Sequence, residues 1–188
     1  MSQWVELDRR SDALLSLEMF GDCLKKAHEN QIFWKWSIVS IHNALQAYVC
    51  MSLRGGSSFR TWRERDLKKW MIAYDNNEQL PDPNQDIFMN LYDKLFNESE
   101  QVDREKINSL NTRRNELIHF NQDGWSFLVA DLHSYCSEAL KATRLAPDLA
   151  NGMVFYRNQE REDFERILQH AEFTLNSMDN SGGPLDDS

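Results

Sequence analysis

The segment from residue 31 to residue 53 constrains the fold most, because its apolar residues recur at helical intervals. Successive steps of four, three, four and three residues separate Trp34, Ile38, Ile41, Leu45 and Tyr48. Apolar side chains also occupy most other faces of this segment, which is typical of a helix surrounded by other helices. The sequence therefore predicts an all-α fold, a helical bundle with this segment at its centre.

Glycine and proline are scarce, which also favours helices over a β-sandwich. Only 7 Gly and 4 Pro occur in 188 residues, so few positions can form the turns that a β-sandwich needs. Residues 1–178 are predicted to form a single domain, and the polar tail over residues 179–188 is predicted to be disordered. The predicted helices span residues 10–29, 31–53, 60–75, 86–97, 102–121, 125–145 and 158–178.

The remaining bulk properties narrow the class of protein. No charge-free apolar run approaches the roughly 20 residues of a membrane span, and the N-terminus lacks the pattern of a secretory signal, so a cytoplasmic protein is expected. Cys23, Cys50 and Cys136 are too scattered for a disulfide framework or a zinc site, and we predict neither metal nor cofactor. The formal net charge of −9 restricts any contact with nucleic acid to a few local cations.

The predicted helix over residues 102–121 carries a positive charge in the middle of its apolar stripe. At about 100° per residue, Arg114 falls at the centre of the side that should be buried, and Asn115 and His119 share the adjoining flank. An arginine is rarely buried without a partner, so this position indicates a specific role. The apolar residues that define the stripe are Ile107, Leu110, Leu117 and Ile118.

These three polar side chains suit phosphate chemistry. Arg114 offers a planar fork of donors for a phosphate, and His119 can act as base or acid near neutral pH. Asn115 can orient the imidazole or bind a phosphate oxygen. Cleavage of RNA by its own ribose hydroxyl needs a base, an acid and a charge stabiliser, but no metal. One chain supplies a single histidine here, so the pattern predicts a symmetric homodimer with a composite site.

The segment Arg114-Asn-Glu-Leu-Ile-His119 resembles the motif of the HEPN superfamily, in which an arginine, commonly followed by Asn or Asp, precedes a histidine by a few residues. The similarity covers roughly residues 10–145 and includes the long apolar early helix. It implies a dimeric helical bundle with facing motifs, often a metal-independent endoribonuclease of toxin or anti-phage systems that leaves a cyclic phosphate end. An antitoxin or nucleotidyltransferase partner is also implied. Other members are non-catalytic binding or scaffold modules, and the helix over 158–178 is appended to the minimal domain.

Three further residues, Lys35, His42 and Gln46, form a polar strip on the central helix. We predict that they line the same cleft and contact the substrate. The alternative is that His42 is a hydrogen-bonded core histidine beside a solvated strip, because buried polar side chains usually find partners inside the protein.

The motif residues also have simpler interpretations. Arg114 can pair with an acidic neighbour such as Asp103 or Glu138, which would neutralise its charge. His119 can hydrogen-bond the last carbonyls of its own helix. Two alternative functions follow: a non-catalytic binding module in a defence or regulatory system, in which Arg114 and Asn115 help to build the dimer, and a structural helical protein in which the motif is accidental.

Overall fold

The computed structural model describes residues 4–55, 57–97, 99–119, 123–150 and 154–179. Over these ranges the chain is all-helical with no β-strand, which confirms the predicted all-α bundle. Most of the tail predicted to be disordered, residues 180–188, lies outside the described residues. The helices are α1 (Arg9–Glu29), α2 (Trp34–Arg54), α3 (Glu64–Asp75), α4 (Phe88–Phe96), α5 (Arg104–His119), α6 (Val129–Leu145) and α7 (Asn158–Asp179).

Helix α2 is the centre of the bundle, as its apolar periodicity predicts. It packs against α1, α4, α5 and α6. Fourteen of its 21 residues are buried, including the small polar residues Ser37, Ser40 and Ser52. The hydroxyls of Ser37 and Ser40 donate to the carbonyls of Phe33 and Trp36, so burial leaves neither donor unsatisfied.

Local capping explains where α1 ends and α2 begins. The Asp8 carboxylate accepts from the Ser11 backbone N–H at 2.7 Å and forms a capping box at the start of α1. Asn30 ends α1, and its side chain accepts from the N–H of Ile32. This contact begins a 3₁₀ turn over Gln31–Phe33, so α2 starts at Trp34, three residues later than predicted.

The C-terminal helix α7, which the sequence predicts as an appended element, packs against α1 and α6. Its Phe164 is 1% exposed, and its ring centroid lies 4.7 Å from that of Tyr48 on α2. At Gly21 of α1, an added Cβ would lie 3.9 Å from the Cα of Ala171, which shows how closely the two backbones approach. Helix α7 is therefore part of the hydrophobic core.

Helix α3 lies at the edge of the bundle, where it buries only Asp66 and Ala73 among its own residues. Asp66 joins it to the following loop by accepting from the backbone N–H and the side-chain amide of Asn84. An isolated antiparallel bridge between Trp62 and Gln85 adds a second attachment. A cluster of aromatic rings completes this region: Phe59, Trp62, Trp70 and Tyr74.

All three cysteines lie inside the bundle. Cys23, Cys50 and Cys136 are buried free thiols on α1, α2 and α6, and burial raises the pKa of each. No group of three or more His, Cys, Asp or Glu side chains in the described ranges is arranged to hold a metal ion. Among the helices described, none combines the length and apolar character needed to cross a bilayer.

Candidate functional site

Helix α5 is held between α2 and α6 by its apolar stripe. Ile107, Leu110 and Leu117 are buried, and Arg114 is half-buried on the same side, as the helical pattern predicts. Asn111, one turn before Arg114 on α5, forms a side-chain hydrogen bond with His42 of α2. The stripe therefore carries the guanidinium against the central helix of the bundle.

Among the described residues, the guanidinium of Arg114 hydrogen-bonds one side chain, that of Asn115. Its Nη1 donates to the Oδ1 of Asn115 at 3.0 Å, while its Nε is buried without a hydrogen-bond partner among the described residues. None of the carboxylates in the described ranges pairs with it. Asp103 and Glu138, the expected alternatives, contact each other instead, since the Asp103 N–H donates to Glu138 Oε1 at 2.8 Å. Burial lowers the pKa of Arg114, because the guanidinium is desolvated without a counter-ion.

His42 of α2 lies next to this guanidinium. It is 1% exposed, and its Nε2 donates to the Oδ1 of Asn111 at 3.0 Å, with the ring of Phe88 at 4.5 Å between centroids. Burial lowers the pKa of His42 to about 4; the bond to Asn111 opposes this shift and the charge of Arg114 adds to it. The imidazole is therefore neutral near pH 7, and its Nδ1 is a buried acceptor without a partner among the described residues.

His119 is the last residue of α5 and is exposed. Its imidazole makes no hydrogen bond or ion pair with the described residues. The expected hydrogen bond from His119 to the last carbonyls of α5 is therefore not present among them. Five residues separate it from Arg114, which corresponds to about 140° around the helix and about 7.5 Å along it. Within one chain the two side chains thus point in different directions.

Lys35 lies at a different place from His42. It lines an apolar cavity of about 510 Å³ together with Leu117, Trp125 and Phe127. Because Lys35 shares this cavity with Leu117 whereas His42 contacts Asn111, α2 and α5 run antiparallel here. Lys35 is therefore near the C-terminal half of α5, towards the end that carries His119.

Gln46 lies one helical turn beyond His42, on the side away from Lys35. It is half-buried and makes no side-chain hydrogen bond with the described residues. The three residues of the predicted polar strip therefore lie at different levels along α2 and do not line one cleft beside Arg114. Only His42 of the three is held beside the guanidinium of Arg114, and the core-histidine interpretation describes its contacts within one chain.

Two of the three arginines on α5 are neutralised by carboxylates. Arg104 binds Asp93 through two nitrogens at 2.7 and 2.8 Å, and Arg113 binds Glu116 at 2.8 Å. The guanidinium of Arg113 also packs over the Phe127 ring at 5.2 Å from its centroid, and this residue is half-buried. The third arginine of the helix retains an unneutralised charge.

Asn111 is not among the site residues predicted from the sequence, although its side chain connects α5 to His42. A signal was present, because Asn111, Arg114 and Asn115 are spaced at i, i+3 and i+4 and therefore share one face. The contact between α5 and α2 therefore contains a buried donor, Arg114 Nε, and a buried acceptor, His42 Nδ1, that have no hydrogen-bond partner among the described residues. Unsatisfied buried polar atoms are uncommon, and they distinguish this cluster from the rest of the interface between the two helices.

Comparisons of the chain with protein-family models, with curated proteins and with solved structures gave no match.

Proposed function

We propose that this protein is a metal-independent endoribonuclease of the HEPN type, with a composite active site at a homodimer interface. The observation that carries the proposal is the guanidinium of Arg114, which is half-buried and unneutralised by any carboxylate of the described residues. A desolvated cation of this kind attracts an anion strongly, and a bridging phosphate has the right charge and geometry for its fork of donors.

The proposed chemistry divides the roles among three side chains. One His119 accepts the proton of a ribose 2′-hydroxyl, whose oxygen attacks the adjacent phosphorus. The bond from phosphorus to the 5′-oxygen breaks, and the second His119 donates a proton to that leaving oxygen. Arg114 stabilises the extra negative charge of the pentacoordinate phosphorus, and Asn115 holds the guanidinium. The products are a 2′,3′-cyclic phosphate and a 5′-hydroxyl.

The positions of the two motif residues support the dimer. Within one chain His119 lies about 140° around α5 from Arg114, so a single copy does not direct both at one phosphorus. A two-fold axis near the exposed end of α5 would bring the second histidine to the cluster. In this proposal the enzyme acts in the cytoplasm as a toxin or in anti-phage defence, with an antitoxin or nucleotidyltransferase as a partner.

The test is degradation of a labelled RNA by purified protein in the presence of a chelator. We expect cleavage with cyclic phosphate ends, and a loss of about 100-fold or more in Arg114→Ala and in His119→Ala. His28→Ala is the matched control, because His28 is also an exposed histidine in the last turn of a helix. Activity that requires a divalent metal, or that survives both changes, contradicts the proposal.

The second candidate function is a non-catalytic binding module in a defence or regulatory system. The net charge of −9 and the neutralised Arg104 and Arg113 favour it, because a nuclease surface normally attracts the phosphate backbone. In that case purified protein shows no RNA cleavage, and Arg114→Ala alters the oligomeric state measured by light scattering.

A further inference from the structure

A second positively charged site lies at the opposite end of α2 from the α5 cluster. A cleft of about 380 Å³ opens where α1 begins and α2 ends. Arg54 is twelve residues beyond His42 on α2, a rise of about 18 Å, so this cleft is separate from the proposed ribonuclease site. Its lining includes Arg9, Arg10, Arg54, Ser57, Ser58 and Tyr156.

Arg9 and Arg54 are close neighbours without counter-ions. Neither side chain forms an ion pair or hydrogen bond with the described residues. This is notable in a chain with 30 acidic residues, any of which could act as a counter-ion. Their positive charges repel, and desolvation together with the charge of Arg9 lowers the pKa of Arg54. Arg54 is exposed and Arg9 is half-buried, so both guanidinium groups line the same cleft where an anion from solvent can reach them.

Arg10 is fixed at the edge of the same cleft. Its Nε donates to the Val154 carbonyl at 3.1 Å, and its guanidinium lies 3.5 Å from the centroid of the Tyr156 ring. These two contacts hold the side chain in place before any ligand arrives, which lowers the entropy that binding would cost. The aromatic ring also extends the cleft beyond the size of a bare phosphate.

Polar donors complete the lining on the side of α2. Helix α2 ends at Arg54, Gly55 caps it with a positive φ of 46°, and Ser57 and Ser58 line the cleft beyond it. Their hydroxyls make no hydrogen bond with the described residues, so both are available as donors. Hydroxyls and guanidinium forks are the side-chain groups that commonly bind phosphate oxygens.

Acidic groups nearby do not cancel the positive charge. Asp8 lines the cleft, but its Oδ1 accepts from both the N–H and the hydroxyl of Ser11. Three guanidinium groups and this one carboxylate leave an excess of two positive charges. In the neighbouring smaller cavity, Glu160 accepts from the Tyr156 N–H and Asp163 pairs with Arg166.

We propose that this cleft binds the phosphate group of a small phosphate-bearing molecule, with Arg9 and Arg54 contacting its oxygens. Ser57 and Ser58 donate to the same group, and the remainder of the ligand lies along Arg10 and Tyr156. The site is independent of the proposed ribonuclease activity, so either can fail without the other.

The test is isothermal titration calorimetry of the full chain at constant ionic strength. The ligands are inorganic phosphate, pyrophosphate and adenosine monophosphate, with sodium chloride as the reference salt. We expect saturable binding that weakens about tenfold or more in Arg9→Gln and in Arg54→Gln, because each loses a charge-assisted contact. Tighter binding of adenosine monophosphate than of inorganic phosphate indicates an organic ligand, and equal binding indicates free phosphate.

Arg60→Gln is the matched control, since Arg60 is exposed on the turn after α2 and does not line the cleft. It should bind like the wild type. Thermal unfolding without ligand separates loss of binding from loss of fold, because Arg54 is exposed and Arg54→Gln should unfold at nearly the same temperature as the wild type. Absence of saturable binding, or equal binding by Arg9→Gln, Arg54→Gln and the wild type, overturns the proposal.

Discussion

The imidazole of His42 is buried between α2, α4 and α5, where protonation would add a second positive charge beside Arg114. Its pKa of about 4 in the folded chain compares with about 6.5 for an unperturbed histidine. As pH falls, the unfolded chain therefore takes up this proton first. The stabilising contribution is complete above about pH 6.5 and is lost as pH falls towards 4, by about 3 kcal/mol in total.

Replacement of His42 by glutamine should remove this part of the acid sensitivity. Glutamine keeps a donor for Asn111 but does not titrate. Between about pH 7 and about pH 4.5, the wild type should lose about 2 kcal/mol more of its free energy of unfolding than His42→Gln. Urea titrations at the two pH values measure this difference. His28→Gln, a change at an exposed histidine, should follow the wild type, and parallel profiles for His42→Gln would contradict the assignment.

At the level of elements, α1 carries a glycine where it packs against α7. An added Cβ at Gly21 would meet the Cα of Ala171 and the Cδ2 of His170 at 3.9 Å, which is ordinary van der Waals distance. The position therefore has room for a methyl group. A glycine inside a helix also costs stability, because the unfolded chain has more freedom to lose.

We expect Gly21→Ala to raise the free energy of unfolding by about 0.5–1 kcal/mol, the usual difference in helix propensity. Urea unfolding followed by circular dichroism measures it. Gly21→Leu is the control, because its larger side chain would push against Ala171 and should destabilise the chain. A loss of stability in Gly21→Ala would contradict this prediction, because it would mean that α1 and α7 leave no space for the methyl group.

The positions of the helices could be predicted from the sequence, because the apolar face of each helix is buried whichever neighbouring helices it packs against. The predicted ranges 10–29, 60–75 and 158–178 lie within a few residues of α1, α3 and α7. One difference arises from a local contact, because Asn30 directs a 3₁₀ turn before α2, and apolar periodicity does not reveal such a cap. Helix α6 begins at Val129, whereas helix was predicted from residue 125, and no side chain of the described residues caps its start.

The site was predictable only where its residues share one helix. The central position of Arg114 in the stripe and its neighbour Asn115 follow from spacing along α5. The contact of His42 with Asn111 joins residues 69 apart in sequence, and no spacing rule links them. The association of Arg9 with Arg54 depends in the same way on how α1 packs against α2. Tertiary packing determines these neighbours, so one helix pattern does not reveal them.

For the molecule as a whole, α7 belongs to the same hydrophobic core as α1 and α2. Phe164 contacts the rings of Tyr48 and Phe155, with centroids 4.7 and 5.2 Å away. A helix that contributes a buried aromatic side chain to the shared core should unfold together with it. The appended segment is therefore expected to be part of one cooperative unit.

Phe164→Ala should lower the free energy of unfolding of the whole chain by about 3–5 kcal/mol, because it leaves a cavity in the core. Phe173→Ala is the matched control on the same helix, since Phe173 is 74% exposed, and it should change stability by less than about 0.5 kcal/mol. Denaturant titrations followed by circular dichroism and by tryptophan fluorescence measure both. Separate transitions by the two probes would show that α7 unfolds independently.

The burial of Cys23, Cys50 and Cys136 on three different helices also determines how the protein meets oxidants and alkylating reagents. Attack on sulfur requires the thiolate at the surface, and the native chain presents none of its three sulfurs there. Oxidation, alkylation or cross-linking of a thiol should therefore require that a helix first separates from the bundle. The rate at which the thiols react then measures the rate of this opening. Preparations of the native protein should accordingly tolerate air without added reductant.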